Sequence, residues 1–243
     1  MAQNIYDDEV FFSGYGTLPR SILGHDGAPE WPTLRAMLPD IRGLRVLDLG
    51  CGFGWFSRWA ADNGADEVLG IDLSERMLAR ARADTHLSNV TYQRLDLERM
   101  VLEPDSFDVA YSSLTLHYLE DLPALLHKVH AALRAGGVFA FSVEHPLFTA
   151  PTNPGFAAST DGALTWPVDR YLIEGPRVTN WFAPDVVKQH RTIGTYVNTL
   201  IASGFTLDAL VEWGPTPEEV EATPAWAGET DRPAFLLVRS HRR

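Results

Sequence analysis

A group of glycines and two carboxylates carries the clearest chemical signal in this sequence. Three glycines stand at alternate positions directly after an apolar strand pattern: Gly50, Gly52 and Gly54. Asp48 lies within that strand pattern, and Asp72 ends the next apolar run about 20 residues later. Glycines at such a turn let the backbone bend tightly and let a ligand lie against the peptide groups. A carboxylate at the tip of the second strand can accept hydrogen bonds from both ribose hydroxyls, so the pattern predicts a nucleoside-type cofactor.

The spacing of these glycines argues against a phosphorylated cofactor. The dinucleotide fingerprint G-x-G-x-x-G requires its third glycine where this chain has Trp55, and Gly54 comes one residue too early. A pyrophosphate binds at a helix N-terminus with free backbone donors, and the Trp55-Phe56 pair would crowd it. No G-x-x-x-x-G-K-[ST] run occurs, so the sequence excludes a P-loop. A cofactor without phosphates is favoured, and an NAD-dependent oxidoreductase with a variant loop is the alternative.

Strand and helix patterns alternate from residue 44 onward, which predicts an α/β fold with a doubly wound parallel sheet. The predicted strands are 44–49, 68–71, 90–94, 107–111, 138–143, 205–213 and 234–238. The predicted helices are 53–63, 74–83, with Ser74 as N-cap, 121–134, ended by Gly136-Gly137, and 193–201. These elements bring the glycine turn and Asp72 to one edge of the sheet.

Two segments fall outside the alternating pattern of a single domain predicted to span 1–243. Residues 1–40 are rich in aromatic residues and are predicted to form a helical cover across the cofactor mouth. Residues 145–187 contain six prolines and six aromatic residues. An irregular stretch of that length is uncommon in a compact domain unless it is functional, so we expect a lid over the active site. A structural excursion that covers a sheet edge is the alternative.

Composition limits the partners. A hydrophobic share of 45% and a charged share of 21% are those of an ordinary globular protein. The net charge of -12 would repel a phosphate backbone, so no nucleic-acid partner is expected. Cys51 is the single cysteine, which excludes an intramolecular disulfide. The first ten residues are polar and acidic, and no apolar run approaches the roughly 18 residues of a membrane span. We therefore expect no signal peptide, no membrane partner and a cytoplasmic location.

The D-x-G-x-G-x-G pattern resembles motif I of the class I S-adenosylmethionine-dependent methyltransferases. The resemblance covers residues 44–143 in motif detail and the remainder in element order. It implies a Rossmann-like, doubly wound seven-stranded sheet whose last strand is antiparallel, with the lid inserted after strand five. It also implies S-adenosyl-L-methionine as the cofactor, with Asp48 near its amino group, Asp72 on its ribose and Asp96 near its adenine.

The predicted cofactor-binding residues follow from that resemblance: Asp48, Gly50, Cys51, Gly52, Gly54, Asp72, Leu73, Met77, Asp96, Leu97, Ser112, His117 and Tyr15. Aromatic faces are mild neighbours for a positively charged sulfur, and Tyr6, Phe11 and Tyr15 are candidates to line it. No metal ion is expected.

Two departures from family patterns narrow the methyl acceptor. Residues 111–114 read Y-S-S-L and lack the Asn/Asp-Pro-Pro-Tyr run of enzymes that methylate amide or base amino groups. No cysteine is available as the nucleophile that cytosine-C5 enzymes need. With the acidic charge, these departures predict methyl transfer to the O-, N- or C-nucleophile of a small molecule. A non-catalytic binding or scaffold protein is a second alternative, and the sequence does not reveal the oligomeric state.

A hydroxyl or protonated amine acceptor needs a base, and histidine is the usual one near neutral pH. His117 follows the fourth strand, and Glu144-His145 follows the fifth, at the carboxyl edge where ligands bind in this topology. These three residues are the predicted catalytic groups, and a structural hydrogen bond or helix cap is the alternative role of each histidine. His190 is predicted to cap the helix at 193–201.

Overall fold

The secondary structure comes from a computed structural model that describes residues 3–158, 160, 162 and 164–243. The strands are β1 Arg45–Leu49, β2 Glu67–Asp72, β3 Val90–Arg94, β4 Phe107–Ser113, β5 Leu133–Glu144, β6 Ala157–Ala158, β7 Leu164–Thr165, β8 Gly175–Trp181, β9 Ala183–His190, β10 Phe205–Trp213 and β11 Phe235–Arg242. The helices are α1 Glu9–Tyr15, α2 Pro19–Ile22, α3 Trp31–Ala36, α4 Trp55–Asp62, α5 Glu75–Ala83, α6 Leu122–Ala132, α7 Pro146–Thr149, α8 Ile193–Ala202 and α9 Pro217–Ala222. Short 3-10 turns lie at Ile5–Asp7, Gly24–Gly27, Leu116–Tyr118 and Pro224–Thr230.

The main sheet has seven strands in the order β10-β11-β5-β4-β1-β2-β3. Strands β1 to β5 pair in parallel, and β11 pairs antiparallel with both β5 and β10. The predicted seven-stranded, doubly wound sheet with an antiparallel last strand is confirmed. The strand order reverses between β1 and β4, and ligands of such sheets bind at the carboxyl ends of the strands at that reversal.

Helices cover both faces of the sheet because alternate strand residues point to opposite sides. On one face, Leu47 and Phe139 pack in a cluster with apolar residues of α6 and α8. On the other face, Val46 and Ala140 pack in a second cluster with apolar residues of α3 and α4. A parallel sheet buried on both faces explains why its strands read as nearly continuous apolar runs.

Most predicted boundaries lie within two residues of those in the structure, but β5 begins earlier and β11 ends four residues later than predicted. Strands 90–94 and 205–213 are confirmed residue for residue, and Ser74 caps α5 as predicted. The expected Gly136-Gly137 break before a strand at 138 is wrong, because α6 ends at Ala132 and β5 begins at once with Leu133. The β4–β5 register shifts between Phe107 and Val109, and Gly136 supplies the positive φ of +78° that this bulge requires.

The segment after β5 has its own secondary structure. It contains α7 and two small antiparallel pairs, β6–β7 and β8–β9, and β9 continues to His190, beyond the predicted limit of 187. Phe11 of α1 is buried in one cluster with Ala183 and Val186 of β9. Its ring centroid lies 5.4 Å from that of Trp181 in an edge-to-face arrangement. The β8–β9 hairpin therefore packs directly on the N-terminal helix.

The predicted capping role of His190 is wrong. Thr192 caps α8, since its side chain accepts a hydrogen bond from the N–H of Thr195. Strand pairing with Gly175 holds His190 in β9, where its buried ring lies 2.8 Å from Thr149 Oγ1 and 2.9 Å from the Tyr171 carbonyl oxygen. The histidine thus joins the hairpin to α7.

Candidate functional site

Two adjoining cavities open where the chain leaves β1 and β4. The first, called the Asp72 cavity, has a volume of about 720 Å³, and the second, called the Asp48 cavity, has a volume of about 710 Å³. The residues that line both cavities are Tyr15, Gly50, Gly52, Ser113 and Leu114. The glycine turn and the end of β4 thus form the wall at which the two cavities meet.

The Asp72 cavity combines one carboxylate with apolar walls. The N–H of Gly52 donates to Asp72 Oδ2 at 2.9 Å, and the N–H of Ser74 donates to Oδ1 at 2.8 Å. Burial raises the pKa of Asp72, and these backbone donors oppose the rise. The predicted residues that also line this cavity are Leu73, Met77, Asp96 and Leu97. This arrangement could hold a nucleoside, with its ribose at Asp72 and its base between apolar side chains.

The Asp48 cavity carries charges of both signs. Asp48 is 2% exposed, and Ser57 Oγ donates to its Oδ2 at 2.6 Å. Burial raises the pKa of Asp48 to about 7, the hydrogen bond from Ser57 opposes that rise, and the charge of Asp72 adds to it. Arg20 lines the same cavity and donates to both carboxylate oxygens of buried Glu30 at 2.9 and 3.2 Å. The cavity could therefore hold the charged end of an amino acid.

Glycine is required at two positions of the turn for steric reasons. Gly50 has a φ of +75°, and a Cβ atom there would overlap the side chain of Thr115 in the loop after β4. Gly54 has a φ of +73° at the N-cap of α4, where a Cβ atom would overlap the Tyr92 hydroxyl. Gly54 lines neither cavity, so it shapes the turn, whereas Gly52 has open space at its Cβ position and faces both cavities.

Replacing Gly50 should destabilise the fold and the site together. We expect Gly50→Ala to lower the free energy of unfolding by about 2–4 kcal/mol, from the left-handed backbone and the overlap with Thr115. Chemical denaturation measures this difference. Gly43→Ala is the matched control, because Gly43 has a φ of +72° but no atom within 4 Å of its Cβ position. Equal losses in the two variants would contradict the close approach of the two loops.

Tyrosine rings surround the junction of the cavities. Tyr6 and Tyr118 line the Asp72 cavity, Tyr15 lines both cavities, and Tyr6 Oη donates to Tyr118 Oη at 3.3 Å. The ring centroid of Tyr6 lies 5.1 Å from that of Tyr15. Phe11, which was predicted to line the site, is fully buried behind these rings and lines neither cavity. Electron-rich rings at this position suit a cation.

At the end of β4, the residue that lines the cavities is Ser113 rather than the predicted Ser112. Ser112 Oγ is buried and donates to the Leu49 carbonyl oxygen at 2.8 Å, whereas Ser113 lines both cavities. Side chains alternate across a strand, so only one of two adjacent serines can face the ligand. The same alternation, applied to the end of β4, is the sequence signal that could have identified Ser113.

His117 is buried and lines neither cavity. Its side chain is 1% exposed, and its Nδ1 accepts a long 3.5 Å hydrogen bond from the N–H of Glu144. Burial lowers the pKa of His117 to about 4, so the ring is neutral near pH 7. This geometry suits a structural hydrogen bond better than contact with a cofactor or acceptor.

His145 is also enclosed. Its Nδ1 accepts from the N–H of Leu147 at 3.1 Å and so caps α7, and its Nε2 lies 3.0 Å from Glu212 Oε1. The ring is fully buried, and burial lowers the pKa of His145. Both ring nitrogens are engaged within the protein, which leaves neither of them for a ligand.

Glu144 is a largely buried predicted catalytic residue that lines cavities of the protein. It ends β5 and lines two further cavities beside the cofactor-type site. Lys188 of β9 lies 2.5 Å from its Oε1, and both side chains are largely buried. Among the residues that the structure describes, its buried Oε2 has no hydrogen-bond partner. A buried carboxylate oxygen without a donor is costly, so it is suited to receive one from a ligand.

Other reactive groups are less prominent. Cys51 lines the Asp48 cavity, and burial raises the pKa of its thiol well above the ordinary value. Within the described ranges, no cluster of three or more His, Cys, Asp and Glu side chains could hold a metal ion. In the same part of the chain, no helix is both long and apolar enough to cross a membrane.

Known proteins match this arrangement. Residues 47–141 match a domain family described as "Methyltransferase domain". The crystal structure of an S-adenosylmethionine-dependent methyltransferase from Mesorhizobium loti is 57% identical, with a TM-score of 0.87 over 90% of this chain and 100% of that one. The chain belongs to the S-adenosylmethionine-dependent methyltransferases. A Listeria monocytogenes protein provisionally described in the same terms is 43% identical, with a TM-score of 0.84 over 90% of this chain and 99% of that one.

Membership identifies the cofactor of this methyltransferase as S-adenosyl-L-methionine and decides against the NAD-dependent alternative. The open cradle at Gly52, the carboxylate of Asp72 and the mixed charges around Asp48 fit that cofactor. A malonyl-[acyl-carrier protein] O-methyltransferase from Pectobacterium atrosepticum is 39% identical over 63% of this chain. The match spans about half of that relative, 54% of its length.

Loss of the Asp72 charge should weaken cofactor binding. We expect Asp72→Asn to reduce the affinity for S-adenosylhomocysteine by about 1–3 kcal/mol, because a charged hydrogen-bond acceptor is removed. Isothermal titration calorimetry measures this affinity. Glu67→Gln, at the opposite end of β2 and half exposed, is the control that should bind normally. An unchanged dissociation constant for Asp72→Asn would refute the role of this carboxylate.

Proposed function

We propose that this methyltransferase methylates a small molecule at a nucleophilic atom and that Glu144 accepts the acceptor's proton. The observation that carries the proposal is the buried Oε2 of Glu144, which ends β5 and has no hydrogen-bond partner among the residues that the structure describes. Among O-, N- and C-nucleophiles, this group favours a hydroxyl or an amine, whose proton a carboxylate can accept. His117 and His145 are enclosed, so we assign them structural roles.

The cofactor would be held by residues of both cavities. Asp72 would bind the ribose, Asp96 the adenine, and Asp48 with Arg20 the amino-acid end. Tyr6, Tyr15 and Tyr118 would surround the sulfur. When bound, S-adenosylmethionine supplies a methyl group on a positively charged sulfur, which becomes neutral as the methyl leaves. Aromatic rings are suitable neighbours here because a strong negative charge would stabilise the ground state and slow transfer.

The position of Glu144 follows from strand register. Ser113, which lines both cavities, pairs with Ser142 of β5, and Glu144 lies two residues further along that strand. Two residues advance a strand by about 7 Å, so the backbone of Glu144 lies about that far along β5 from the residue that pairs with Ser113. Lys188 fixes Oε1, which leaves Oε2 to accept the acceptor's proton as the new bond to carbon forms.

The two irregular segments would enclose this reaction. Tyr6 and Tyr15 belong to the predicted cover, residues 1–40, and line the cavities. Lys188 lies in the β8–β9 hairpin, and its Nζ forms an ion pair with Glu144. We infer that the cover and the predicted lid, residues 145–187 with the end of the hairpin, exclude water from the site. Exclusion of water strengthens electrostatic interactions at the reacting groups.

Labelled methyl transfer tests this function. The protein is incubated with trideuteromethyl S-adenosylmethionine and three separated cell fractions, namely small molecules, nucleic acids and proteins. We expect mass spectrometry to find the label in small molecules, in keeping with the net charge of -12 and the predicted cytoplasmic location. Label confined to nucleic acid or protein would contradict a small-molecule acceptor. Binding of the cofactor with no label in any fraction would support the non-catalytic alternative.

A further inference from the structure

Glu144 lines a third cavity, which shares no lining residue with the two cofactor-type cavities. It has a volume of about 610 Å³ and is called the Trp213 cavity here. Its lining includes two carboxylates, one arginine and several aromatic residues: Glu144, Glu229, Arg232, Phe148, Trp213, Trp226 and Phe235. Phe235 of β11 pairs with Glu144 on one side and with Trp213 on the other, so three strands end side by side at its floor. The cavity is therefore part of the same carboxyl edge as the cofactor site.

The Trp213 cavity also adjoins the Asp48 cavity. Arg20, which lines the Asp48 cavity, has its guanidinium carbon 5.6 Å from the centre of the Phe235 ring. Pro29 lines the Trp213 cavity, and its neighbour Glu30 lines the Asp48 cavity. A ligand in the Trp213 cavity would thus lie beside the cofactor-type site, with Glu144 at its margin.

Arg232 gives this cavity a buried set of donors. Its side chain is 5% exposed, and the guanidinium lies over the rings of Phe148 and Trp166, at 4.6 and 4.1 Å from their centres. Nη2 donates to Glu229 Oε1 at 3.1 Å, whereas Nη1 lies 2.8 Å from Oε2 but out of line for a hydrogen bond. In the described part of the chain, Nε has no partner at all.

Unsatisfied donors on a buried guanidinium favour the binding of a further acceptor. A guanidinium presents five N–H donors, and one accepting carboxylate leaves most of them unused. The aromatic rings cover a face of the group, so a further partner must approach its N–H edge. Planar carboxylates bind this edge with good geometry. Tryptophan and phenylalanine walls meanwhile favour a flat, apolar ligand body.

We propose that the Trp213 cavity binds the body of the methyl acceptor and selects a planar molecule that carries a carboxylate for Arg232. This inference rests on the proposed function, because the acceptor's hydroxyl or amine would then face Glu144, which lines the same cavity. Arg232 is in this account a specificity residue. It binds the acceptor but takes no part in proton transfer.

Matched probes test the carboxylate preference without any turnover. The protein is saturated with S-adenosylhomocysteine and titrated with trans-cinnamate, trans-cinnamamide, indole-3-acetate and indole-3-acetamide, with saturation-transfer NMR and calorimetry as readouts. Each carboxylate should bind at least about tenfold more tightly than its amide, as expected for a charge-assisted hydrogen bond. Equal binding within each pair, or no binding of either carboxylate, would overturn the proposal.

Variants assign the preference to the cavity. Arg232→Gln should abolish the difference between acid and amide, while Arg134→Gln, at a half-exposed arginine that pairs with Asp108, should preserve it. Ala234→Leu narrows the cavity without changing its charge and should weaken the binding of the carboxylate probes and of the amide probes equally. Retention of the preference in Arg232→Gln would overturn the proposal. If the protein did not bind S-adenosylhomocysteine, the proposed function would be contradicted instead. The two failures can be distinguished because binding of S-adenosylhomocysteine and binding of the probes are measured in separate titrations.

Discussion

Glu144→Gln should lower kcat by about 10²–10⁴-fold, the usual contribution of a positioned general base. The amide keeps the size of the side chain and an oxygen for Lys188, but it cannot accept the acceptor's proton. The cofactor affinity should stay within about twofold of the wild-type value, because Glu144 lines neither cofactor-type cavity. Steady-state turnover with the labelled acceptor, together with calorimetry, separates these two effects.

The control for this prediction is a carboxylate with a structural role nearby. Glu212→Gln removes the half-exposed partner of His145 and should leave kcat unchanged. Wild-type turnover of Glu144→Gln would contradict the assignment of the base. A parallel loss of cofactor affinity would show instead that Glu144 supports the binding site.

At pH 8, Asp48→Asn should stabilise the cofactor-free protein. The same substitution should lower the affinity for the cofactor. Burial raises the pKa of Asp48 from 3.8 to about 7, so the folded state holds this proton more tightly than the unfolded state does. The resulting stabilisation is complete below about pH 4 and is lost as the pH rises towards 7. At pH 8 the ionised, buried carboxylate therefore costs on the order of 2–4 kcal/mol, which the neutral amide avoids.

The negative charge of Asp48 should also contribute to binding of the positively charged cofactor. We expect Asp48→Asn to bind S-adenosylmethionine at least about tenfold more weakly at pH 8, since the cofactor loses a nearby opposite charge. Denaturant titrations at pH 4 and pH 8 measure the stability difference, which should be small at the lower pH and large at the higher one. A stability difference independent of pH would contradict the raised pKa of Asp48.

The sequence was sufficient to predict the fold, and it predicts residues that line one cavity, because both depend on local patterns. The glycine turn, Asp72 and Asp96 each follow a strand whose apolar run identifies it, and parallel strands bring their carboxyl ends to one edge. Eight of the predicted residues line the Asp72 cavity: Tyr15, Gly50, Gly52, Asp72, Leu73, Met77, Asp96 and Leu97.

The acceptor side could not be predicted in the same way. The pair Glu144 and Lys188 joins residues 44 positions apart, and its formation depends on a hairpin in a segment with no periodic pattern. The ion pair between Arg20 and Glu30 could not be predicted either, because no pattern in residues 1–40 indicates that this glutamate becomes buried. His117 and His145 were candidate bases because of their residue type. Both rings are nevertheless enclosed, His117 in the turn after β4 and His145 at the start of α7.

The most direct test locates the cofactor methyl group within the cleft. Nuclear Overhauser effects are recorded from ¹³C-methyl S-adenosylmethionine bound to the protein, with Tyr15→Leu used to assign the ring signals. The sulfur-bound methyl should show contacts with the ring of Tyr15, the aromatic side chain shared by both cavities. A bound methyl group that contacts other aromatic protons but not those of Tyr15 would contradict a sulfonium at the junction of the two cavities.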